Sequence, residues 1–303
     1  MSDLFRGAGG EAAALATSVL WAFTAIFFTL ASLRIGSYTV NRVRLAVAVI
    51  LLGATHLALY GSFLPMDAGA RAWSWLGVSG LVGLTLGDTL LFQSLVELGT
   101  QRAMLVMASW PILAALMAFL FLGENLSARE LAGVVITLGS IAWVVTGGAK
   151  DLKEGAPRHP FRGSLLAFGG AACQAAGVLM AKEGLSGALP ALSGTVIRMA
   201  VATAGLWAVS LFRKDVLEAA RKLRDSRGLL FTTLGAIFGP FLGVWLSLLA
   251  VKYAKVGIAA ALMSLPPVLL IPLGKWIFGD KITLRAVLGT VGALSGASLL
   301  FIK

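Results

Sequence analysis

The sequence predicts an all-α membrane protein of ten transmembrane helices, arranged as two inverted repeats of five. Three observations predict it. The 303 residues are 58% hydrophobic and only 13% charged, with a mean hydropathy of +0.89, more apolar surface than a soluble domain can withdraw from water. The apolar residues come in runs of about helix length. The second half repeats the first at a nearly constant offset.

The runs cover residues 12–33, 40–60, 73–95, 103–122 and 131–146, then 163–181, 192–212, 229–251, 257–278 and 284–302, with a polar stretch at 147–162 between the sets. A hydrocarbon core takes about 20 apolar residues to cross as a helix, so ten spans consume roughly two hundred residues and leave short loops. Lipid offers the backbone no hydrogen bonds, so each span must satisfy its own, and the alternation of a barrel strand is absent. Residues 1–149 form the first five-helix unit, 150–162 the connection and 163–303 the second unit. The start of the chain, with Asp3 and Arg6 before an apolar run lacking a small-residue cleavage pattern, reads as leading into a retained first span.

The repeat rests on register. An offset of 156 pairs Pro111 with Pro267, Gly83 with Gly239, Gly87 with Gly243, Met107 with Met263, Gly123 with Gly279, Glu124 with Asp280, Arg129 with Arg285 and Gly133 with Gly289. Earlier in each half Arg44-Leu-Ala-Val-Ala pairs with Arg198-Met-Ala-Val-Ala at an offset of 154. Five crossings per unit force the second unit to enter from the opposite side, a recurrent design in carriers, whose units exchange shapes and open a central site alternately to each face.

The net charge of +11 is carried mostly between the apolar runs, where anionic headgroups meet it; this points to the bilayer as partner and away from nucleic acid. The single cysteine, Cys173, excludes an intramolecular disulfide and a zinc cluster. With two histidines, His56 and His159, and no nucleophile elbow, zinc-binding helix or phosphate-cradling loop, the expectation is a non-enzyme without cofactor or metal. His56 reads as a packed side chain.

The motifs resemble those of the EamA-type members of the drug/metabolite transporter superfamily. They are Trp21-Ala-Phe-Thr in the first span, Arg42 and Arg44 early in the second, Ala108-Ser109-Trp110-Pro111 in the fourth, and the turn Gly123-Glu124-Asn125-Leu126-Ser127 with its repeat Gly279-Asp280-Lys281-Ile282-Thr283. The resemblance covers nearly the whole chain and implies a carrier or exporter of small metabolites such as amino acids in a plasma membrane, the inner membrane of a bacterium. The second half departs from the pattern, with Cys173-Gln174 where the first has Trp21.

Several polar and aromatic residues inside the spans are candidates for substrate binding: Trp21, Arg44, Asp88, Gln93, Trp110, Gln174, Arg198 and Trp245. An ionised Asp88 in mid-span needs a wet cavity or a basic partner, and Thr85, Thr89 and Gln93 share its broad helical face. It reads either as a substrate-amine or proton site or as a helix-to-helix tie. Arg44 and Arg198 either snorkel to an interface, bind a substrate carboxylate, or pair with Asp88 or Glu97. Glu97 and Arg102 read as a solvated loop pair. Trp21, Trp110 and Trp245 are placed to wall a cavity or to pack, whereas Trp73, Trp75 and Trp276 mark interfaces. Pro111 and Pro267 are expected to kink their helices at mid-span.

Gly83, Gly87, Gly239 and Gly243 read as close-packing surfaces, and their duplication favours contacts within one chain and a monomer, with a dimer left open. The basic segment 213–227 reads as a helix on an anionic membrane surface. Of the 25 basic residues, 17 fall on the side of the loops after odd-numbered spans, which sets the termini outside by the positive-inside rule, whereas the resemblance sets them in the cytoplasm. The function expected is a secondary carrier that exports amino acids or related metabolites, with protons as a candidate coupling ion; a multidrug or sugar-type carrier is the alternative. A channel or scaffold is the rival of another class, though neither requires oppositely inserted repeats.

Overall fold

The structure is a computed structural model and describes residues 9–98, 103, 106–148, 159–213, 224–266, 268–270 and 284–301. The described regular elements are all helical. They are α1 (Gly9–Ile35), α2 (Ser37–Tyr60), α3 (Gly69–Gly80, a π-helical segment Leu81–Gly87, and Asp88–Leu98), α4 (Trp110–Leu122), α5 (Ala128–Gly148), α6 (Pro160–Gly184), α7 (Ala191–Arg213), α8 (Ser226–Ala236, a π-helical segment Ile237–Gly243, and Val244–Tyr253), α9 (Val256–Met263) and α10 (Leu284–Phe301). Six of them, α1, α2, α3, α6, α7 and α8, are long and apolar enough to cross a membrane. The protein is therefore a multi-pass integral membrane protein.

The two π-helical segments fall at repeat-equivalent positions, 81–87 and 237–243. In α8 the widened turn has a visible cause: Pro240 lies inside it, and a proline without an N–H cannot continue an ordinary α-helical ladder. The glycines of these segments allow neighbouring helices to approach closely. A Cβ on Gly177 of α6 would stand 3.0 Å from Gly83 Cα and 3.2 Å from Ser79 O, and one on Gly239 would stand 2.7 Å from a Thr24 side-chain carbon. These contacts lie within one chain.

Packing partners repeat as well. Helix α1 packs on α8 as α6 packs on α3, α1 meets α9 as α6 meets α4, and α2–α7, α4–α9 and α5–α10 pair across the repeats. Corresponding helices run in opposite senses: Gly133 of α5 faces Gly296 and Leu300 of α10, while Ser140 and Val144, further along α5, face Gly292 and Gly289, earlier in α10. That order requires α5 and α10 to be antiparallel, which makes the repeat inverted.

Pro111 does not kink a continuous helix. The chain turns at Ala108 and Ser109, and α4 starts at Trp110 with Pro111 in its first turn, where the missing N–H has no partner to lose. The equivalent interruption, Ser264 and Leu265, follows α9. Pro267, Trp276, Arg102, Asp280 and most of the basic segment 213–227 lie outside the described residues.

Candidate functional site

Where α1, α2, α3, α6, α7 and α8 converge, they enclose a cavity of about 260 Å³. Six of the eight residues expected at the site line it: Trp21, Arg44, Asp88, Trp110, Gln174 and Arg198. Three of them carry charge. Arg44 of α2 makes an ion pair with Asp88 of α3 and donates from Nε to Asn41 Oδ1 at 2.7 Å, while its guanidinium lies 5.5 Å from the centre of the Phe28 ring. Asp88 follows directly on the π-helical segment of α3. Arg198 of α7 is 2% exposed, close enough to feel the charge of Asp88, and its Nε and Nη2 have no acceptor. Snorkelling is thus excluded for Arg198, and Arg44 is held inward by two acceptors.

Thr24 and Ser247 add hydroxyl-bearing residues to the lining, and Leu45, Leu84, Val178 and Pro240 add apolar ones. Thr24 closes the Trp21-Ala-Phe-Thr motif, and the others are not among the sequence candidates; Pro240 in a helix interior and the duplicated glycines beside it are the available signal. The two other candidates stand apart. Gln93 is exposed and donates to Glu97 Oε1 at 3.0 Å, because five residues of ordinary α-helix turn it about 140° away from the face that Asp88 presents inward. Trp245 packs on the hydrophobic core with its ring 6.3 Å from that of Phe241 and does not line the cavity. Glu97 is buried, not a solvated loop residue, with Gln93 and Arg162 (3.5 Å) as partners.

Beside the cavity runs a larger, mainly apolar cleft of about 1210 Å³ between α1, α4, α5 and α9. Trp21, Met107, Trp110 and Met263 belong to both linings. Met107 and Met263 are repeat equivalents, each immediately before a helix interruption. Met107, Trp110 and Met263 of the dividing wall therefore flank breaks in the helical hydrogen bonding.

A second polar cluster lies at the turn between α4 and α5. Helix α4 ends at Gly123, whose φ of +63° suits glycine. Glu124 then accepts from Lys182 Nζ of α6 and from Val256 N–H at 2.7 Å, and Lys182 also donates to Ala254 O at 2.8 Å. Ser127 and Glu130 form a capping box at the start of α5 (2.6 and 3.3 Å), and Lys255 pairs with Glu130 at 2.7 Å. The Gly-Glu turn of the first repeat is thereby fastened to the α8–α9 link of the second.

His56 is buried between Ser62 O (2.6 Å) and Ser193 Oγ (2.9 Å), tying α2 to α7 as a packed side chain. Among the described residues no three His, Cys, Asp or Glu side chains are grouped so as to hold a metal ion.

The model of the EamA-like transporter family matches residues 8–146 and again 161–302. The chain belongs to that family. The two matched stretches coincide with the two halves of the inverted repeat. No curated protein matches the chain. Among 29 matching chains of solved structures, one, titled only as the crystal structure of a protein, superposes with a TM-score of 0.76 at 18% identity, covering 97% of this chain and 96% of its own. This EamA-family chain therefore shares its whole fold with an experimentally solved protein.

Proposed function

We propose that the protein is a secondary carrier that moves small metabolites, amino acids or related compounds, outward across a bacterial inner membrane. In this reading the chain makes ten crossings, and the site is the cavity lined by Trp21, Arg44, Asp88, Trp110, Gln174 and Arg198. One observation carries it: a charged cavity sits where two oppositely inserted repeats meet, the position at which a two-state exchange of shapes exposes the same site to each face in turn. The interruptions at 108–109 and 264–265 supply bending points beside the wall of Met107, Met263, Trp21 and Trp110. The Glu124–Lys182 and Glu130–Lys255 pairs hold one end shut and must part for that end to open. Transport then draws on a gradient of substrate or of protons.

The test is flux into proteoliposomes. Saturable uptake that is accelerated by unlabelled substrate on the far side supports a carrier. Flux that rises linearly with concentration supports a channel and overturns the reading.

A further inference from the structure

We infer that Arg198 grips the carboxylate of a small organic anion with an apolar body. The inference rests on the carrier reading and names the substrate class of the same cavity.

The repeat supplies twin arginines but not twin environments. Arg44 has two acceptors, Asn41 and Asp88. At the repeat offsets, Asn41 is replaced by Thr195, whose hydroxyl donates to Ala191 O at 2.7 Å, and Asp88 by Val244, which has no polar side-chain atom. Arg198 has thus lost both acceptors its twin uses. Among the described residues no hydrogen bond or ion pair replaces them, and the opposite charge whose field reaches it, Asp88, is already engaged by Arg44. The three charged residues lining the cavity sum to one net positive charge.

Burying a guanidinium without a counter-charge is costly, and the cost is removed when a ligand brings the anion. The two idle donors, Nε and Nη2, form one edge of the guanidinium and are sealed from solvent, so a carboxylate pairs with both of them after the side chain shifts toward the cavity that Arg198 lines. Gly83 leaves room for that edge, since a Cβ there would stand 2.9 Å from Nη2. Trp21, Trp110, Leu84 and Val178 offer apolar surface to the rest of the ligand, and about 260 Å³ suits a single-ring acid. No carboxylate in the cavity stays free to take a ligand amine, so an amino group is not required.

The experiment is a thermal melt of the detergent-purified full chain with 3-phenylpropionate, L-phenylalanine, 3-phenylpropionamide and phenethylamine. The two carboxylates are expected to raise the melting midpoint in a concentration-dependent way, and the amide and the amine are not. Arg198→Gln and Arg198→Met are expected to melt no lower than the parent without ligand, having shed a buried charge. Their apparent affinity for the carboxylates falls about 10- to 100-fold, the loss of a charge-assisted pair of bonds. Arg198→Lys, which keeps the charge but not the two-donor edge, retains part of the response.

Equal stabilisation by the amide or the amine, no stabilisation by either carboxylate, or an undiminished response in Arg198→Gln overturns the inference. The carrier reading is scored separately by flux: carboxylate binding lost in Arg198→Gln with no flux of the bound acid in the parent refutes the carrier and leaves the carboxylate grip standing.

Discussion

The Arg44–Asp88 pair is the point at which the fold is most exposed to a single substitution. Both side chains are only 17% exposed, and each reaches the other, α2 to α3, in the lining of the cavity. Asp88→Asn removes the negative charge but keeps the shape, leaving two buried guanidinium groups, Arg44 and Arg198, with no anion near either. Opposite charges in contact attract by about 4 kcal/mol at an effective dielectric of about 20. Most of that attraction offsets the cost of taking both ions out of water, so the intact pair contributes little net stability. Removing one partner leaves the other's desolvation unopposed, at a cost of about 3–5 kcal/mol.

The expected pattern is therefore non-additive. Asp88→Asn and Arg44→Gln each destabilise, and the double variant recovers a large share, with a coupling energy of about 2 kcal/mol or more. Reversible unfolding in mixed detergent micelles, followed by tryptophan fluorescence, measures all four corners of the cycle. Single-variant losses that simply add, or an Asp88→Asn protein as stable as the parent, would refute the idea that this pair neutralises buried charge.

Four further outcomes follow from the same geometry. Gly177→Ala forces a Cβ to within 3.0 Å of the Gly83 backbone, so α6 and α3 must separate, at about 1–3 kcal/mol; an unchanged unfolding midpoint would contradict that close approach. Glu124→Gln keeps an acceptor for Val256 N–H but loses the Lys182 ion pair, and cysteine cross-linking between residues 125 and 255 should fall in yield as that end loosens. Gln93→Ala and Trp245→Phe leave ligand stabilisation unchanged, because neither side chain lines the cavity; a lost response in either variant would redraw the site. Asp225 caps α8 by accepting from Gly228 N–H at 3.0 Å, and that bond, with Arg34 at 3.2 Å, holds its carboxyl below the usual range. A lowered folded value means that the stabilisation is complete above the unfolded carboxyl range near 4 and is lost as pH falls through the folded value. Amide exchange at Gly228 should therefore speed up in acid beyond its intrinsic change, and Asp225→Asn should abolish that extra pH dependence.

The positions of the apolar runs followed from lipid, which forces a backbone to satisfy itself within each segment and so writes helix length directly into hydropathy. The repeat was legible because paired positions such as Gly83 with Gly239 and Met107 with Met263 keep one register, and an odd number of spans in each unit sets the second against the first. Six of the eight candidate residues converge on one cavity because polar and aromatic side chains inside apolar runs have few places to go except inward. Periodicity read as one broad polar stripe could not separate Gln93 from Asp88, although five residues of ordinary α-helix set the two about 140° apart and turn Gln93 out to Glu97. Nor could it show that Pro111 begins a helix instead of bending one. The sequence alone determined that this protein crosses a membrane as two opposed copies of one unit, because that is a matter of solvent and register. Only the tertiary structure decided which of two equivalent arginines has its charge answered, because the counter-charge, Asp88, lies 44 residues away along the chain from Arg44 and meets it only when the helices come together.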